Sequence, residues 1–159
     1  MPNSMVFAPP YTELQTEFYK LMTNADEMDF EVYDSGMSIQ EIMGSLKLMN
    51  TINYGVIADI TGTQTAAKTD AIIWQMNIRL ELFSNYKGRK QIADMINTVA
   101  KVVTTYQNEF NANLCQKGYF VVRNQIGESA IGSAIGEGNL TWQNGYITIT
   151  YFLSQLEDR

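Results

Sequence analysis

The sequence contains no histidine, and that absence excludes more than any residue present. It removes the usual general base, the commonest metal ligand and every nucleophile that an imidazole would activate. Cysteine occurs once, at Cys115, so no internal disulfide framework can form, and a small buried apolar side chain is the simplest reading of it. The three prolines all fall within residues 1–10 and leave the rest of the chain free of proline breaks. Basic residues are scarce, 11 Lys and Arg against 17 Asp and Glu, and a net charge of −6 is a poor match for nucleic-acid phosphates. No apolar run reaches the roughly eighteen residues that a membrane-spanning helix needs. The N-terminus has no basic segment leading an apolar one, so no signal peptide is expected. A soluble protein made in the cytosol, with no membrane partner, follows as the expectation.

What is present is a globular composition, 45% hydrophobic and 18% charged, at a length that suits one domain over residues 1–159. The clearest pattern lies in residues 71–110. Ile72, Trp74, Met76, Ile78, Leu80 and Leu82 alternate with Gln75, Asn77, Arg79 and Glu81, the period of a half-buried strand. After Asn85, Lys87 and Gly88 the period changes. Ile92, Met95, Ile96, Val99, Val103, Tyr106 and Phe110 make one apolar stripe along a helix of about five turns. This helix is expected to lie across the apolar face of the sheet.

Around that unit the other elements are shorter. Residues 1–10 read as an extended arm, either a free terminus or, given Met5, Val6 and Phe7, a segment that docks on a neighbouring subunit. Thr12 with Gln15 predicts a capped helix buried through Leu14, Phe18, Leu21 and Met22. Residues 30–33 suggest a short strand, and Ser38 with Glu41 opens a second helix carrying Ile39, Ile42, Met43, Leu46 and Met49. Residues 54–60 and 119–125 read as strands, and residues 61–70 as an exposed loop. Asn144-Gly145 reads as a tight turn between two closing strands. Strands joined by turns predict an α+β fold: an antiparallel sheet with one long helix and an N-terminal helix packed on one face.

Two features point towards assembly. Residues 126–139 repeat Ser-Ala-Ile-Gly twice, which predicts a flexible loop. It is either a mobile tip or a segment that orders on a partner by burying Ile131 and Ile135. Charge is also segregated: Asp26, Glu27, Asp29, Glu31, Asp34 and Glu41 occur with no intervening base, while Lys87, Arg89 and Lys90 cluster at the start of the long helix. Cations there oppose the helix dipole. They are either ordinary solvated charge or one half of a head-to-tail contact with the Asp29–Glu31 segment of another copy. The glycines match neither a dinucleotide fingerprint nor a phosphate-binding loop, so no cofactor is expected. Asp59 and Asp70, beside glycine and threonine, read as turn residues before they read as catalysts.

The order of elements resembles the tail-terminator or tail-completion proteins of long-tailed bacteriophages. The resemblance rests on an N-terminal helix, the strand Trp74-Gln-Met-Asn-Ile-Arg-Leu-Glu-Leu-Phe, a polar turn, the helix Gln91-Ile-Ala-Asp-Met-Ile-Asn-Thr-Val, and closing strands ending Ile147-Thr-Ile-Thr-Tyr-Phe-Leu. It covers roughly residues 11–155 as a matter of pattern and size. Residues 36–50 make a longer insertion than that pattern has, and Asn53-Tyr54-Gly55 stands where a Pro-Tyr pair is often found. The resemblance implies a non-enzymatic virion protein, made in the bacterial host cytoplasm. It would form a hexameric ring that caps the tail tube protein, meets the head connector or neck protein, and lets DNA pass its lumen without specific binding. Another neck or head-completion protein, and a small ligand-binding α+β domain or carboxylate enzyme, are the alternatives.

Overall fold

The computed structural model describes residues 6–34, 52–68, 71–86, 88–132, 135–137 and 140–156. Its elements are α1 (Tyr11–Asn24), β1 (Glu31–Asp34), β2 (Asn53–Lys68), β3 (Ala71–Ser84), α2 (Lys90–Thr105), α3 (Gln107–Gln116), β4 (Tyr119–Ile131), β5 (Ile135–Glu137) and β6 (Leu140–Gln155). The strands form one sheet in the order β1-β2-β3-β6-β4, with β5 pairing β6.

The α+β class is as expected, but the sheet is mixed. β1 runs parallel to β2, Glu31 lying opposite Tyr54, whereas the other pairs are antiparallel. Sequence neighbours suggest an antiparallel hairpin only when a short turn joins them. Here residues 35–52 intervene, long enough for the crossover that a parallel pair requires. The second helix expected from Ser38 and Glu41 lies outside the described residues.

The alternation in β3 sets the core. Ile72, Trp74, Met76, Ile78, Leu80 and Leu82 are all buried. Their neighbours in the ladder share that face: Ile57 opposite Leu80 on β2, and Ile147 and Ile149 opposite Leu80 and Ile78 on β6. Leu14, Phe18 and Met22 of α1, Ile92, Met95, Val99, Val102 and Val103 of α2, and Phe110 and Leu114 of α3 pack into the same cluster. All three helices therefore cover one face. On the opposite face a second cluster joins Tyr54 and Trp142 with Tyr33, Val56 and Phe83, the Tyr54 and Phe83 rings stacking at 5.0 Å.

Four local expectations are revised. α1 starts at Tyr11, directly after Pro9-Pro10, without a side-chain cap. Gln15 instead donates from Nε2 to Asp34 Oδ2 at 2.6 Å, tying α1 to β1. Residues 61–70 are largely not a loop, because β2 continues to Lys68 and β3 begins at Ala71, making a long hairpin. The long apolar stripe is divided between two helices at Tyr106, whose hydroxyl donates to Glu27 Oε1 at 3.0 Å.

Asn144-Gly145 is the fourth revision. Both residues lie inside β6, not at a turn. A Cβ on Gly145 would lie 2.6 Å from Ile92 Cγ2 and 2.7 Å from the Ala130 carbonyl oxygen. The glycine lets α2 approach the sheet between β3 and β4, a close-approach role that a strand glycine can equally signal. Among the described residues no helix is long and apolar enough to cross a membrane.

Candidate interaction surface

The two ends of the sheet differ in chemistry. At one end β6 finishes, with Gln155 opposite Ile72 of β3 and Tyr119 of β4. The Gln155 amide is the hub of this end. Its Oε1 accepts from the Trp74 indole N–H at 3.1 Å and from the Ala8 N–H at 3.2 Å, and its Nε2 donates to the Val6 carbonyl at 2.5 Å. The Tyr119 hydroxyl donates to the Ala8 carbonyl at 2.5 Å. Burial, with the nearby Glu13 charge second, pushes the Tyr119 phenol up, so it keeps the proton that this donation requires. The Leu156 N–H donates to the Gly118 carbonyl at 2.8 Å and closes the same end.

These polar bonds hold the backbone of the arm and leave its apolar side chains outside. Val6 is 78% exposed and Phe7 60%. Phe120 at 45%, Val122 at 50% and Leu156 at 42% belong to the same end. An arm with no fixed place would not make three hydrogen bonds to two side chains of the sheet. An arm that served only its own subunit would bury its largest side chain. Instead the backbone is secured and the phenyl ring is presented to solvent, an arrangement that suits a partner.

β4 continues this surface along the sheet edge. Its ladder runs to β6 alone among the described residues, with irregularities between Val121 and Arg123 and between Ile126 and Ser129. The Asn111 side chain of α3 accepts from the Val121 N–H at 2.8 Å and covers the start of the edge. Farther along, Ile126 and Ile131 are 37% and 38% exposed. Residues 126–131 thus belong to a strand and not to the flexible loop expected over 126–139, and β5 orders residues 135–137 as well. The outer sheet face beside β4 is polar and aromatic. Arg123 lies 4.3 Å over the Phe152 ring, Arg79 lies 4.1 Å over Tyr146, and the Tyr146 hydroxyl donates to Glu128.

The opposite end gathers the charges singled out from sequence. Asp29 and Glu31 are exposed at the start of β1, and Arg89 and Lys90 are exposed at the start of α2. They share an end because β1 starts beside the start of β2, which pairs with the end of β3. β1 and β3 are two strand spacings apart, roughly 10 Å, about one Debye length at physiological salt. Among the described residues none of these four forms an ion pair with another. Ile131 ends β4 at this end, whereas Phe7 lies at the other. Lys87 and the side chain of Ile135 lie outside the described residues.

A shallow groove of about 210 Å³ between α1 and α3 is lined by Glu17, Leu21, Tyr106, Glu109 and Phe110 among others. Glu17 is 5% exposed and meets Lys117 at 2.9 Å and Lys20 at 3.7 Å. The groove is smaller than the pockets of roughly 300–1,000 Å³ that hold small ligands, and its buried acid is already paired. Cys115 is half-buried, its Sγ 3.6 Å from Asn111 Oδ1. Asp59 is exposed at an irregularity of the β2–β3 ladder, and Asp70 lies outside the described residues. Among the described residues no group of three His, Cys, Asp or Glu could hold a metal ion.

Gln155, Tyr119 and the exposed pair Phe120 and Val122 were not legible as a surface from sequence. A signal existed: Tyr119-Phe-Val-Val is apolar at every position of a strand, so both faces need cover, and only one faces the helices. No protein-family model matches the chain, and no curated protein matches its sequence.

Proposed function

We propose that this protein is a structural, self-associating subunit of the tail-terminator kind. Six copies would close into a ring that caps the tail tube of a long-tailed bacteriophage and meets the head connector. The observation that carries the reading is the clamped arm: Gln155 and Tyr119 fix the backbone of residues 6–8 while Val6 and Phe7 face solvent. The α+β architecture, with its long strand leading into a helix that packs back on the sheet, agrees with the same family pattern.

Light scattering on the purified protein across concentration and salt tests the reading. A discrete mass of about six 18.0 kDa subunits, free or assembled on tail tubes, is the expected result. A chain that stays monomeric at high concentration and leaves tail tubes uncapped in electron micrographs overturns it.

A further inference from the structure

We infer that the arm of one copy adds as a short strand to the free edge of β4 in a second copy. This rests on the self-association reading and names the segment and the seat that carry it.

The bonds that hold the arm define which of its edges is open. In an extended segment, the N–H and C=O of residues i and i+2 point to one side, and those of residue i+1 to the other. The clamp uses the Val6 carbonyl and both the N–H and carbonyl of Ala8. All three lie on the side that faces the arm's own subunit. In such a segment the N–H and carbonyl of Phe7 point the opposite way, and they have no hydrogen-bond partner among the described residues. An arm extended in this way is half of a strand pair, satisfied on one edge and open on the other.

The edge that could satisfy it is β4. An unpaired edge strand exposes a row of donors and acceptors, and chains guard such edges with lysine, proline or bulges. β4 has neither lysine nor proline, and Arg123 and Glu128 are its only charges. Its two ladder irregularities leave a regular stretch at Arg123–Ile126. The sequence before Pro9 offers a matching length, Met5-Val6-Phe7-Ala8, without charge or proline. An added strand gains affinity from main-chain bonds and specificity from its side chains. Phe7, set opposite Asn124, would reach the half-exposed Val122 and Ile126 diagonally on one face, and Val6 would lie on the other. The arm lies at the start of its own β4, and among the described residues it forms no ladder with it. Pairing between copies is therefore head-to-tail, the form that closes rings.

The test uses a synthetic peptide of residues 1–10 and full-length Val6→Asp/Phe7→Asp protein as its acceptor, because the variant's own arm no longer competes. Saturable binding of the labelled peptide is expected, weakened at least about tenfold when Val122→Lys or Ile126→Lys is added to the acceptor. Thermal melts that match the parent acceptor confirm that these exposed sites leave the fold intact. No binding, or binding that ignores both lysines, overturns the inference. A second measurement pairs Phe7→Cys on one copy with Val122→Cys on another, both in a Cys115→Ala background, under mild oxidation. Disulfide-linked dimers only in the mixture support the contact, and their absence counts against it. Rings that persist in the Phe7→Asp protein would sink this inference and leave the ring reading standing. Peptide binding by a chain that never forms rings would do the reverse.

Discussion

Replacing Gly145 with alanine tests whether steric approach or backbone conformation explains the glycine. Alanine is the better strand residue, which by itself favours the variant by about 0.5–1 kcal/mol. The added Cβ opposes this, at 2.6 Å from Ile92 Cγ2 and 2.7 Å from the Ala130 carbonyl oxygen. Ile92 is fully buried against the sheet, and the carbonyl belongs to the backbone of the next strand. Neither can yield without moving α2 or β4. Overpacking of this kind costs about 1–3 kcal/mol, so a net loss of about 1–2 kcal/mol is expected. In a chain of this size that lowers Tm by about 2–8 °C. Urea unfolding of Gly145→Ala, Ile92→Ala and the double variant separates the two causes. The clash predicts that Ile92→Ala is cheaper in the Gly145→Ala background, by about 1 kcal/mol, because the methyl group in the way has gone. Additive losses, within about 0.5 kcal/mol, would refute the steric account and favour a backbone demand at position 145.

Lys117→Met leaves the buried Glu17 carboxylate with only the longer Lys20 contact. Because Lys117 is itself partly solvated, the loss should fall between surface and buried values, about 1–3 kcal/mol, and Lys117→Met with Glu17→Met should cost less than Lys117→Met alone. A double variant weaker than the single would contradict this. Gln155→Leu removes the hub of the arm and leaves the Trp74 indole N–H unpaired, a loss of about 1–3 kcal/mol; amide exchange at Ala8 should accelerate, and unchanged exchange would show that the arm is held otherwise. The Tyr119 and Tyr151 phenols are raised by burial, so the stability they contribute is complete below the unfolded value of 10 and is lost as pH rises past it towards the folded values. Urea midpoints should fall above pH 10, less steeply in Tyr151→Phe; phenolate absorbance showing all nine tyrosines ionising near 10 in the folded chain would refute this.

The sequence is most legible where one physical requirement dominates. Alternation in residues 72–82 identified the strand and its buried face because burial on one side leaves few other solutions. The apolar stripe of residues 92–110 was correct as a buried face, even though Tyr106 divides it into two helices. At that division Tyr106 bonds to Glu27, a partner distant in sequence that no local pattern announces. Gly145 is ambiguous in sequence because a glycine needed for a turn and one needed for close approach look alike until Ile92 is in place. Gln15 reads as a cap in sequence because its tertiary partner, Asp34, competes with a local bond that the sequence alone makes plausible. The parallel β1–β2 pair depends on a crossover, which leaves no signature in either strand. Within the candidate surface, the sequence marks Val6 and Phe7 as apolar residues costly in water, and both are exposed in the structure. The clamp was not legible: a glutamine at the end of a strand has no distinctive pattern, and its three bonds join residues 6–8, 74 and 155.

The division of chemistry between the sheet ends bears on how copies would meet. A contact built on the charged end would depend on Asp29 and Glu31 of one copy finding Arg89 and Lys90 of the next. Those groups already share an end of one subunit, about two strand spacings apart, where each partly satisfies the other's field. Their attraction to a neighbour is therefore discounted by what they lose at home, and exposed pairs are worth little in any case. Among the described residues Val6 and Phe7 have no such competing partner and stay exposed. Apolar burial, unlike exposed charge, is not screened by salt, so a contact made through the arm should survive at high ionic strength. In the proposed assembly the arm and the β4 edge would therefore supply the affinity between copies, which would leave the charged end for a different neighbour.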